Sequence, residues 1–278
     1  MTWTPPPPPP PARIGPAGWA LAGLRGVVMA VIVFGGLALL LALRVMERPL
    51  CRARRPITPW ITVAVCRAAL AILGLRVARR GRPMAGQGAL VANHVTWLDI
   101  FVLNAQTPLY FVAKAEVAGW PGIGWLARAT GTLFVRRDAR EARVQSQAFE
   151  TRLIQGHRML FFPEGTSTDG QRVLSFKSTL FSAFYQPQMR HAMQVQAVSV
   201  IYHAPPGRRT DFYGWWGDMD FAPSLVESLA LWRPGWATVA FHPPVRVDAF
   251  PNRKSLAKHL EDQVRDGHNA MRDTAAGG

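Results

Sequence analysis

Residues Gly26 to Leu43 run for 18 positions without a charged side chain, and no other feature restricts the fold of this chain as strongly. As a helix, at about 1.5 Å per residue, the run is roughly 27 Å long, close to the hydrocarbon thickness of a bilayer. A secretory signal is the rival reading, with Arg13 and Arg25 as its positive flank. The run is longer than an ordinary signal core, however, and Arg44-Val45-Met46-Glu47 stands where a small-residue cleavage site belongs. A retained membrane helix is therefore expected. Pro59 to Leu75 is a second apolar stretch, interrupted by Arg67. It reads as an interfacial helix, or as one folded back against the first. Ahead of both, seven consecutive prolines from Pro5 to Pro11 cannot form helix or central strand, so residues 1–17 read as an extended, disordered leader. Residues 18–80 are then a membrane-anchoring helical segment, with Trp19 and Trp60 as interface anchors.

The charge follows the same division. The chain carries 32 Lys and Arg against 17 Asp and Glu, a net +15. Residues 1–83 hold 12 arginines and one acid, Glu47, for +11, and the remaining residues hold 20 basic and 16 acidic side chains, for +4. A nucleic-acid-binding domain carries its basic residues on the folded body. Here they flank the apolar runs, so membrane phospholipid is the expected anionic partner and nucleic acid is not. By the positive-inside rule the arginine-rich side, and the domain after it, face the cytoplasm. Two cysteines, Cys51 and Cys66, exclude a disulfide scaffold and a Cys-rich metal site.

From Ala89 onward short apolar runs alternate with longer amphipathic ones. Strands are expected at 89–93, 109–113, 132–135, 159–163, 195–202 and 238–245. Helices are expected at 96–105, 123–129, 141–154 and 176–185, with a polar-faced closing helix over 253–271. This alternation predicts an α/β fold with a mostly parallel central sheet flanked by helices, preceded by the N-terminal membrane-anchoring helix pair. Functional residues then belong just after the strands.

Three segments fit that expectation. Asn93-His94-Val95-Thr96-Trp97-Leu98-Asp99 puts a histidine after a strand and an aspartate in the first turn of the next helix. Thr96-x-x-Asp99 reads as a capping box, and a carboxylate reaching back toward the helix start also lies near His94. That gives a His–Asp general base suited to deprotonating a substrate hydroxyl. The spacing is not that of metal ligands, and no metal is expected. Gly131 to Asp138 ends a strand in Arg136 and Arg137, a pair able to hold a phosphate or carboxylate. Phe161 to Gly170 runs a strand into Pro163-Glu164-Gly165 and a hydroxyl-rich loop, which offers backbone N–H groups and one carboxylate. No Gly-x-Ser-x-Gly, P-loop or dinucleotide fingerprint occurs.

In this order the three segments resemble the glycerolipid acyltransferase family, of which 1-acylglycerol-3-phosphate acyltransferase is the type. His94-x4-Asp99 is similar to its first block, Gly131 to Arg137 to its second, and Phe162-Pro163-Glu164-Gly165-Thr166 to its third. The resemblance implies an acyltransferase domain over residues 81–252, followed by a C-terminal helix and tail over 253–278. It implies transfer of a fatty acyl group from acyl-carrier-protein or acyl-CoA to the free hydroxyl of a membrane lysolipid, foremost 1-acyl-sn-glycerol-3-phosphate, giving phosphatidic acid. No cofactor is needed beyond that acyl-donor co-substrate. His94 takes the hydroxyl proton and Asp99 orients it; Arg137, or Arg136 in its place, holds the acceptor headgroup; Glu164, Gly165, Thr166 and Ser167 line the acceptor side. The implied location is a bacterial inner membrane.

Two positions depart from the family pattern. Ser167 stands where the third block continues with Arg, and Val195-Gln196-Ala197-Val198 stands where the fourth block reads Val-x-Pro-Val. Losing that Arg removes a phosphate-binding charge. The Glu164 to Gly170 segment and the aromatic–acidic Trp215-Trp216-Gly217-Asp218-Met219-Asp220 look like the subgroup that acylates lyso-ornithine lipid. That headgroup carries an amine and no phosphate, and Asp218 or Asp220 is placed to meet it. A packing or membrane-facing loop is the plainer reading of the same tryptophans. A non-catalytic basic membrane- or nucleic-acid-binding protein, in which His94 and Asp99 only cap a helix, is the alternative from another class.

Overall fold

The protein is described by a computed structural model that covers residues 3–10, 12–52, 54–136, 138 and 140–276. Helix α1 (Pro16–Cys51) is longer than the uncharged run at its centre. Helix α2 (Thr58–Leu73) returns along it. Gly36 lets the two approach, since a Cβ there would lie 2.3 Å from a Val65 methyl. The buried Glu47 of α1 accepts hydrogen bonds from the Ile57 and Thr58 backbone N–H groups and from the Thr58 hydroxyl, so it caps α2 from outside. Of the two alternatives for the second apolar stretch, the folded-back helix is the one observed.

Only 6% of the most apolar 18-residue window of α1 is buried, and its mean hydropathy is 2.7. Leu24, Val27, Val31, Phe34, Leu39 and Leu41 point outward. Such a surface is expected to associate with lipid. Helix α2 is different. Cys66, Leu70 and Leu73 belong to the core of the following domain, and the Arg67 guanidinium donates to the Ala105 carbonyl at 2.8 Å. The charge that interrupts the second apolar run is thus a tie to the body.

The sheet consists of β1 (Arg76–Arg80), β2 (Gly88–Ala92), β3 (Tyr110–Lys114), β4 (Leu133–Val135), β5 (Met159–Phe161), β6 (Gln194–His203), β7 (Trp236–Phe241) and β8 (Val245–Arg246). Its order is β1-β7-β6-β2-β5-β3-β4, with β8 on β6. Pairings are parallel except β6 with β7 and β6 with β8. The sheet therefore begins with β1, inside the segment expected to be purely anchoring. The sequence of β1 is Arg-Val-Ala-Arg-Arg, an exposed edge strand without the apolar run that marks a strand.

The sheet faces alternate along β2. Leu90 and Ala92 pack with α2, α3 (Asp99–Asn104) and α7 (Phe221–Leu229). Ala89 and Val91 pack with α5 (Ala142–Ile154), α8 (Arg253–Ala276) and the 3-10 helix Ser178–Tyr185. Helix α4 (Ile123–Thr130) precedes β4, and the short α6 (Pro187–Arg190) precedes β6. Two expected helices are shorter or tighter than predicted. The one at 96–105 reduces to α3 because residues 95–98 form the turn that carries the site, and the one at 176–185 is 3-10. Within the leader, Trp3 to Pro10 has no regular structure yet touches the body, where the buried Trp216 indole donates to the Pro6 carbonyl at 2.9 Å.

Gly36→Val should force α1 from α2 and lower stability by about 1–3 kcal/mol, the usual penalty for overpacking. The check is the thermal midpoint in detergent, and an unchanged midpoint would deny the close helix contact.

Candidate active site

Strands β2 and β5 are adjacent and parallel, with Val91 opposite Phe161. Three residues beyond each partner of that pair stand His94 and Glu164, so the register alone brings them together. Asn93 makes the turn possible: its side-chain amide donates to the Val200 carbonyl and accepts from the Val200 N–H, both at 2.8 Å. That side chain takes the place of backbone in the ladder with β6 and frees the chain to leave the sheet at His94.

His94 Nδ1 lies 2.7 Å from Asp99 Oδ2. The same oxygen accepts the N–H groups of Val95 and Thr96 at 2.8 and 3.1 Å, which is the reach-back expected of a capping carboxylate. Asp99 has no exposed surface, while the His94 side chain is 20% exposed. The imidazole stacks on Phe162 with ring centres 4.0 Å apart. Bonding Nδ1 to a carboxylate sets the tautomer and leaves Nε2, which has no hydrogen bond among the described residues, directed at incoming chemistry.

Glu164 does something other than line the acceptor. It is buried, and its oxygens accept the N–H of His94 and the N–H of Leu174, each at 2.7 Å. It therefore ties the catalytic loop to the loop after β5. Burial raises its pKa to about 8; the two N–H donors oppose that rise and the neighbouring Asp99 charge adds to it. Thr168 braces the same loop from another side, its N–H and hydroxyl both donating to the His94 carbonyl.

The other expected residues separate into two groups. Gly165, at φ +73°, makes the turn after Glu164, and its N–H goes back to the Phe162 carbonyl. Thr166 is exposed beside it, and Ser167 is buried. Arg136, by contrast, follows β4, three strands from β2, and its exposed guanidinium pairs with Glu141 at 3.1 Å. Arg137 lies outside the described residues. Asp218 and Asp220 are exposed on a loop that docks on the site through the Trp215 N–H, which donates to the Val95 carbonyl at 3.0 Å. Trp216 and Tyr213 of that loop are buried, so the packing reading holds for them. Among the described residues no cluster of three metal-ligating side chains occurs.

Sequence reasoning missed Asn93 as a ladder mimic, Thr168 as a brace, and Tyr202, whose hydroxyl donates to Asp99 Oδ1 at 2.8 Å. The available signal for Tyr202 was a phenol at the carboxyl end of a buried strand on the functional edge.

A buried Asp orienting a His whose far nitrogen is open, without a serine or cysteine in the pair, is an arrangement suited to activating a hydroxyl of a substrate. Comparison with known proteins agrees. The acyltransferase family model matches residues 75–203. The chain is 57% identical over 251 residues to the lyso-ornithine lipid O-acyltransferase of Rhodobacter capsulatus, covering 90% of this chain and 91% of that one. It is 38% identical over 152 residues to the 1-acyl-sn-glycerol-3-phosphate acyltransferase of Neisseria gonorrhoeae, covering 53% and 58%. The crystal structure of the 1-acyl-sn-glycerophosphate acyltransferase of Thermotoga maritima superposes with a TM-score of 0.63 at 22% identity, over 92% of this chain and 95% of that one, and so has the same fold. This chain belongs to the acyltransferase family and is an acyltransferase of lysolipids.

Glu164 gives a pH test. Its unfolded carboxyl loses its proton near 4.5 and its folded one near 8. The stability it contributes is therefore complete below the lower value and is lost as pH rises through the upper one, at no more than about 1.4 kcal/mol per pH unit. Glu164→Gln removes that titration, so its thermal midpoint should fall less than the wild type's between about pH 6 and about pH 9. Equal falls would contradict the buried, proton-retaining carboxyl.

Proposed function

We propose that this enzyme transfers a fatty acyl group to the free hydroxyl of lyso-ornithine lipid, giving ornithine lipid. The observation that carries this reading is the 57% identity to a lyso-ornithine lipid O-acyltransferase along nine-tenths of the chain. Two features of the site support it. Ser167 replaces the arginine that the family pattern offers a phosphate. Asp218 and Asp220 extend from a loop hydrogen-bonded to the His94 turn, where a carboxylate suits an amine headgroup.

In the reaction His94 Nε2 removes the acceptor hydroxyl proton as the oxygen attacks the thioester carbonyl carbon of the donor, acyl-carrier-protein or acyl-CoA. Asp99 stabilises the imidazolium that forms. The tetrahedral intermediate collapses, the carbon–sulfur bond breaks, and the imidazolium returns the proton to the departing thiolate. The ester and a free thiol are the products. Acceptor and product are lipids, which gives the apolar α1 its purpose. The arginine-rich flanks favour the inner membrane, with the domain on the cytoplasmic side. Transfer to 1-acyl-sn-glycerol-3-phosphate is the second reading, favoured by the 38% identical Neisseria relative.

Purified enzyme supplied with acyl-carrier-protein thioester and either acceptor should give a kcat/KM at least about tenfold higher for lyso-ornithine lipid, the scale of one charged headgroup contact. Ser167→Arg should shift the ratio toward the phosphate acceptor. A wild-type preference for the phosphate acceptor would overturn the headgroup assignment.

A further inference from the structure

We infer that Tyr202 is a positioning residue for acyl transfer: through one hydrogen bond it holds the Asp99 carboxylate in the orientation that directs His94. The inference rests on the His94–Asp99 reading of the site and holds for either acceptor.

The two oxygens of Asp99 are served unequally. Oδ2 receives His94 Nδ1 and the backbone N–H groups of Val95 and Thr96, whereas Oδ1 receives the Tyr202 hydroxyl at 2.8 Å. The first three donors all belong to the turn that the carboxylate itself organises. Tyr202 is the donor that comes from the sheet, and it ties the carboxylate to a rigid frame.

Its placement follows from strand lengths. β6 outruns β2: Ala92 is paired with Val198, and Asn93 then uses its side chain on Val200. Two residues farther on, Tyr202 lies on the same face as Val198 and Val200, the face covered by α3. Its phenol therefore reaches the first turn of that helix. The ring packs 5.5 Å from that of Tyr213, whose hydroxyl is fixed by the Gly235 N–H at 3.0 Å. Burial, then the adjacent Asp99 charge, raise the Tyr202 pKa well above its ordinary range, so the phenol remains a donor at working pH.

The chemical need arises when His94 holds the substrate proton. An imidazolium is stabilised by a carboxylate held against Nδ1 and loses that stabilisation if the carboxylate turns away. A donor on Oδ1 replaces the water that the buried carboxylate has lost. It also stops the carboxylate from rotating away from Nδ1, because rotation would break the bond to the sheet.

Tyr202→Phe removes the hydroxyl and keeps the ring in the core. Per folded enzyme, kcat should fall about tenfold, the scale of one hydrogen bond to a charged group, with KM for the lysolipid nearly unchanged. The thermal midpoint falls as well, because a buried acceptor loses its donor, so the two enzymes are compared at equal folded concentration. In an Asp99→Ala background the same substitution should add less than about twofold, because its route to the histidine is gone. Wild-type kcat in Tyr202→Phe would overturn the inference. So would a loss accounted for by unfolded protein, or a tenfold loss that recurs without Asp99. A wild type inactive on both acceptors would instead overturn the acyltransferase reading beneath it.

Discussion

The site depends on one buried charge. Asp99 has no exposed surface, and a buried carboxyl group needs hydrogen-bond donors in place of the water it has lost. Four do so: one imidazole, two backbone N–H groups and one phenol. Each comes from a constraint set elsewhere in the fold. The N–H groups require the turn between β2 and α3, and the phenol requires β6 to extend past β2. The imidazole requires His94 to leave the sheet, which Asn93 permits and Glu164 and Thr168 hold in place. The geometry of the general base is therefore decided before any substrate arrives, and little reorganisation is left to the reaction.

The helix pair is divided in its loyalties. α1 presents valine, leucine and phenylalanine outward, while α2 supplies Cys66, Leu70 and Leu73 to the same core that covers the site face of the sheet. The lipid-facing element is thus packed onto a layer of the catalytic domain rather than tethered by a linker. Arg25 strengthens this arrangement, since its guanidinium donates to the carbonyls of Leu229 and Leu231 just after α7.

Most of this architecture was legible in the sequence. The alternating apolar runs marked β2, β3, β5 and β6, and the His94-x4-Asp99 spacing marked the hydrogen-bonded His–Asp pair, because both are local patterns. What escaped was non-local. β1 carries three arginines in five residues and is a strand only because β7 pairs with it. The bracing role of Glu164 escaped for a related reason: only the β2–β5 register places the His94 N–H on a carboxylate that follows another strand. Arg136 was grouped with the site by its motif, yet β4 lies at the far edge of the sheet and the guanidinium faces Glu141. Tyr202 escaped because the phenol lies in a buried strand, and it meets Asp99 only because β6 extends past β2.

The central claim is that His94 takes the proton from the acceptor hydroxyl and that no other group can replace it. His94→Ala, purified in detergent and compared with wild type at equal folded concentration, tests this directly. Acyl transfer should fall by at least about a thousandfold, the scale seen when the general base of a His–Asp arrangement is removed, with the thermal midpoint and vesicle association preserved. Transfer within about tenfold of wild type would contradict the account, since general-base catalysis contributes more than that in such sites.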